Sequence, residues 1–150
     1  MLAWLIRWGT DAPVNHAFVY VGDGQIVEAC PSGARTVPAT NYGPIVWSHQ
    51  GLSEKQRTAI VVKADLLAQQ RVGYGWLDLV AIGLAQRRAG KIVDLKNPPW
   101  WVRRIARQDR LICSQLVDVC YQAAGVALFD DGRLPGLVSP GDLWRLENPS

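Results

Sequence analysis

The segment from Asn15 to Ala29, Asn-His-Ala-Phe-Val-Tyr-Val-Gly-Asp-Gly-Gln-Ile-Val-Glu-Ala, is mostly apolar and β-favouring on either side of a polar, glycine-flanked centre. Two β-rich runs joined by Gly22-Asp23-Gly24 predict a β-hairpin. Side chains alternate across a strand, so His16, Phe18 and Tyr20 share one face and Ala17, Val19 and Val21 the other. A turn centred on Asp23 sets Glu28 close beside His16. Farther on, the period lengthens. Leu116, Val117, Cys120, Ala123 and Ala124 follow the spacing of a helix that buries one face, and Gly125 stops it. The charged run Arg107-Gln108-Asp109-Arg110 ahead of it leaves Cys113 and Ser114 in the first helical turn.

Between these segments the pattern predicts mostly helix. Ser53 with Gln56 makes a capping box for a helix from Glu54 to about Gln70, with Ile60, Val61, Ala64, Leu67 and Ala68 inward. The run Arg71 to Gly75 breaks it. A second, strongly apolar helix runs from about Trp76 to Arg88 and ends at Gly90. Short strands are expected over Leu2–Trp8, after Pro31 and over Ile45–Trp47, and Lys91–Leu95 reads as a strand or an extended connection. Asn97-Pro98-Pro99 breaks the chain before a short basic helix, Trp100 to Arg107. Leu128-Phe129 and Leu134-Pro135-Gly136 read as irregular, and Ser139 to Trp144 as a short capped turn. The expected architecture is α+β: a small antiparallel sheet packed against the helix headed by Cys113, with two central helices covering the core.

Length and composition narrow this further. The 150 residues, 49% hydrophobic and 19% charged, suit a single globular domain, 1–150, with one sizeable core. No apolar run reaches the roughly 18 to 20 residues that cross a bilayer, and the start does not read as a secretory signal. A net charge of +3 is too mild for a nucleic-acid binder. Three cysteines at irregular spacing suggest reduced thiols and a cytoplasmic protein, which would act outside a cell after lysis or on a particle.

Cys113 is the candidate nucleophile, because backbone N–H groups and the helix dipole at a helix head favour thiolate over thiol. Burial as an ordinary core cysteine is the alternative. His16 is the candidate base, with Glu28 to set its tautomer, against an exposed hairpin charge pair. His49 is the other histidine. Cys120, about 10.5 Å along the helix from Cys113, reads as core. A zinc site from Cys30, Cys113, Cys120 and a histidine lacks a close cysteine pair, so neither metal nor cofactor is expected. Trp100 and Trp101 beside three arginines suit an anionic ligand, an interface or a solvated face anchored by one ring.

Together, His16 to Ala29 and the later Cys113-Ser114-Gln115-Leu116-Val117 resemble the circularly permuted NlpC-type papain-like cysteine hydrolases. That group includes lecithin-retinol acyltransferase-like and YiiX-like proteins. The histidine hairpin precedes the nucleophile in it, as here. The likeness spans about Leu5 to Asp142 and is specific in the two blocks. It implies Cys113 as nucleophile, His16 as base and then acid, and Glu28 as the orienting third residue. Tyr20, Tyr74 and Asp78 match positions often used to line the site. The Cys113 and Ser114 amides suit an oxyanion. The expected activity is hydrolysis of amide bonds in peptidoglycan-type peptides, with cell-wall or particle association. The alternatives are a thiol acyltransferase or thioesterase acting on lipid acyl groups, with Trp100 and Trp101 at an apolar entrance, and a non-catalytic module of the same fold.

Overall fold

The computed structural model describes residues 13–48, 51–74, 110–131 and 138–148. Expectations for Leu2–Trp8, His49, the Trp76–Arg88 helix with Asp78, Lys91–Leu95, the Asn97–Pro99 break, Trp100–Arg107 and Leu134–Gly136 lie outside the described residues. Strands β1 (Phe18–Gly22), β2 (Gln25–Cys30) and β3 (Gly33–Pro38) form an antiparallel sheet in that order. Helix α1 spans Glu54–Gln69. Strand β4 (Gly73–Tyr74) pairs in parallel with β5 (Arg110–Leu111), which leads into α2 (Cys113–Ala123). Helix α3 covers Pro140–Glu147. The described chain is therefore α+β, with a small antiparallel sheet and three α-helices.

Local chemistry accounts for the elements that hold the site. Phe18 pairs with Glu28, Val19 with Val27 and Tyr20 with Ile26, as a turn around Asp23 requires. Asp23 and Gly24 both have positive φ, the backbone of a two-residue hairpin turn whose twist matches its strands. Pro31 and Ser32 turn the chain again, so that Glu28 pairs with Arg35. Ala34 N–H then donates to Val72 O at 2.9 Å, tying β3 to the exit of α1. That approach requires Gly33, which has φ +105°, because a Cβ there would lie 2.9 Å from Arg71 O.

Both expected helix signals are present. Ser53 Oγ accepts from Gln56 N–H while Gln56 Oε1 accepts from Ser53 N–H. At the end of α2, Gly125 N–H donates to Gln122 O and Val126 N–H to Tyr121 O, with Gly125 at φ +72°. This is a Schellman stop.

One sheet face supplies Val19, Val27, Ala29 and Ala34 to the core, where they meet Ile60, Ala64 and Leu67 of α1 and Leu116, Val117 and Cys120 of α2. Ala17 and Val21 pack against that cluster from the same face. The other face carries Phe18, Tyr20 and Glu28. Packing of α1 and α2 on one face leaves the other for polar and aromatic groups.

Two expectations need correction. Ile45–Trp47 forms no strand. Trp47 instead sets its ring edgewise on Phe18 and Tyr20, at centroid distances of 5.9 and 5.4 Å, so ring packing replaces strand pairing. The segment at Ser139 does not stop at a turn but continues as α3, since Ser139 and Asp142 cap each other and Pro140 suits the first helical position.

Candidate functional site

Glu28 is the centre of the outer sheet face. Its carboxylate is 0% exposed and accepts from three residues. His16 Nε2 donates to Oε2 at 2.7 Å. Arg35 donates to Oε1 through Nε at 2.9 Å and through Nη2 at 2.8 Å. The Tyr42 hydroxyl donates to Oε2. Burial pushes the carboxyl's pKa up, but the bonds from Tyr42, His16 and Arg35 outweigh it and hold the pKa below the usual value. Glu28 is therefore an anion at neutral pH, and its full burial rules out the exposed charge pair that the hairpin also allowed.

With Nε2 bound to Glu28, His16 has Nδ1 left for its second neighbour, the Cys113 thiol. Burial pushes the His16 pKa down. The hydrogen bond and charge of Cys113 oppose this, followed by those of Glu28, and the net result is a rise from 6.5 to about 9. The resting imidazole is then an imidazolium, with the Glu28 carboxylate on one side and Cys113 on the other. Cys113 is 1% exposed and the His16 side chain 24%, so the pair meets solvent on the imidazole side.

Cys113 is the first residue of α2. Ile112 N–H just before it donates to Gln115 Oε1 at 3.0 Å, which ties down one of the helix's free amides. The Cys113 and Ser114 amides have no carbonyl acceptor within the helix. They point out of its positive end and are suited to an oxygen that gains charge. No family model, curated protein or solved structure matches this chain.

The structure brings His16, Glu28 and Cys113 together and distributes the other expected residues differently. The Ser114 side chain is fully buried and donates to Val138 O at 2.6 Å, so only its amide remains for an oxyanion. Tyr20 shares the sheet face of His16, but it is exposed, its ring lies on Trp47 and its hydroxyl accepts from Gly24 N–H at 3.1 Å. Tyr74 pairs through its backbone with Leu111, two residues before Cys113. Asp78 lies outside the described residues.

Cys120 is fully buried in the core, which pushes its thiol up to about 12. The Cys30 thiol bonds within its own turn, to Ser32 Oγ at 3.0 Å and Gly33 O at 3.2 Å. Among the described residues, no three His, Cys, Asp or Glu side chains converge as metal ligands would.

Two residues of the site have no counterpart among the sequence candidates. Arg35 becomes visible once Pro31-Ser32 is read as a tight hairpin turn, since that register sets it opposite Glu28. Tyr42 follows a 3-10 turn, Ala39–Asn41, and carries no periodic signal. Its ring lies 5.4 Å from that of His16 and 5.9 Å, stacked, from that of Phe18. The row Tyr42, Phe18, Trp47 and Tyr20 thus runs from His16 along the sheet.

Proposed function

We propose that this chain is a cysteine-dependent hydrolase of amide bonds. The observation that supports it is a thiol at a helix head facing an imidazole, whose far nitrogen is held by a buried carboxylate. The Cys113 thiolate attacks the acyl carbon. The Cys113 and Ser114 amides receive the resulting oxyanion, and the His16 imidazolium hands its proton to the departing amine. The acyl group is then a thioester on Cys113. His16, now neutral, takes a proton from water as that water attacks the thioester, and the thiolate leaves with the acid released. Glu28 keeps the imidazole oriented through both steps. Peptidoglycan-type peptides are the substrate class implied by the resemblance to the permuted NlpC-type hydrolases, in a cytoplasmic or particle-borne setting.

A second reading, thioester chemistry on lipid acyl groups, has one observation in its favour. The aromatic row that begins at His16 is an apolar track, with exposed rings at Tyr20, Tyr42 and Trp47.

The experiment pairs wild type with Cys113→Ala on a panel of murein peptides and acyl esters, with mass spectrometry to detect acyl-Cys113. Hydrolysis and the acyl adduct are expected in wild type and absent from the variant. The substrate that leaves the adduct identifies the class. Activity should fall as pH rises through about 9, because His16 then loses the proton meant for the leaving group. Equal turnover by the two proteins overturns the reading.

A further inference from the structure

Glu28 has more partners than the orientation of one histidine requires. A fully buried carboxylate with a single neighbour tends to take up a proton rather than keep its charge. Here a guanidinium occupies Oε1 and a phenol shares Oε2 with His16. With Oε1 anchored from β3 and Oε2 from the turn at Tyr42, the carboxylate cannot rotate without breaking a charge-assisted bond.

We propose that Arg35 and Tyr42 are positioning residues for the His16–Cys113 pair: they hold Glu28 ionised, with Oε2 turned to His16. The assignment rests on the hydrolase reading, since the charge on His16 has a role only if Cys113 reacts. The two residues contribute differently. The Arg35 side chain is 52% exposed, so it brings charge to a buried acceptor while its own outer side stays solvated. Tyr42 adds a neutral donor and a ring beside the imidazole. Among the described residues, the charged and titratable groups around His16 are Cys113 from α2, Glu28 from β2, Tyr42 from the turn and, through Glu28, Arg35 from β3.

The sign of one measurement separates this role from mere proximity. Arg35 is a cation near an imidazolium. If Glu28 kept its charge unaided, removing Arg35 would relieve repulsion and raise the His16 titration midpoint. If Arg35 holds the anion in place, the midpoint falls.

The test uses the full chain carrying His49→Gln, so that His16 is the remaining imidazole, and follows the His16 ring proton by NMR from pH 5 to 11. The parent should titrate near 9. Tyr42→Phe and Arg35→Met should each lower the midpoint by about half a pH unit, a roughly threefold loss of proton affinity, and Arg35→Lys should recover part of it. Circular dichroism checks the fold. If Arg35→Met does not fold, Tyr42→Phe, which removes one hydroxyl, carries the test. Midpoints unmoved or raised overturn the assignment and leave the hydrolase reading standing. A parent midpoint near 6.5 instead removes the charged pair on which both rest.

Discussion

Replacing Glu28 by Gln keeps the shape of the side chain and takes away its charge, so it isolates what the anion does. The amide oxygen can serve Arg35 or the His16 and Tyr42 pair, and whichever it serves, its NH2 group faces a donor. Breaking a fully buried ion pair from one side costs about 3–5 kcal/mol. The cations left here are His16, with a quarter of its side chain exposed, and Arg35, about half exposed, so water recovers part of that. A loss of about 2–3 kcal/mol is expected.

Part of the loss depends on pH. The His16 pKa is raised, so its contribution to stability is fully present below 6.5 and disappears as pH rises through about 9. The whole rise is worth about 3 kcal/mol at 1.36 kcal/mol per pH unit. Cys113 contributes more to the rise than Glu28 does, so removing the Glu28 charge takes away only part of it. Urea unfolding of wild type and Glu28→Gln at pH 6 and pH 10 measures both parts. The penalty should be larger at pH 6 than at pH 10, because only at pH 6 is His16 charged. A penalty identical at the two pH values would refute the coupling between Glu28 and a charged His16.

Two further substitutions test the supports of the site. Ser114→Ala leaves Val138 O without its buried donor and should cost about 1–3 kcal/mol in urea unfolding, while the Ser114 amide stays in place. If turnover falls far more than stability, the side chain has a role beyond tying α2 to Val138. Gly33→Ala forces a side chain to φ +105° and against Arg71 O, so a drop of several degrees in Tm is expected. An unchanged Tm would show that β3 and the α1 exit separate without cost.

Much of the secondary structure follows from local pattern. The hairpin register rests on two β-rich runs and the Asp23-Gly24 turn between them, α1 on the Ser53–Gln56 box, and α2 on its apolar stripe and Gly125 stop. These are short-range effects of backbone geometry and neighbouring side chains, so the amino-acid order determines them. It also determines that Cys113 heads a helix and that Glu28 lies beside His16.

Other features depend on what lies across space. Whether Glu28 is a solvated charge or a buried anion depends on Arg35 and Tyr42, which reach it from a second hairpin and from a turn without periodicity. Trp47 abandons a strand because rings from β1 offer it a surface. The meeting of Cys113 with His16 is decided by the packing of α2 against the first two strands through Leu116, Val117 and Cys120. The sequence by itself determined which groups are candidates for the proposed chemistry and which elements carry them. Only the tertiary structure decided that they face one another with their charges paired, because long-range burial and pairing depend on the whole core rather than on any one segment.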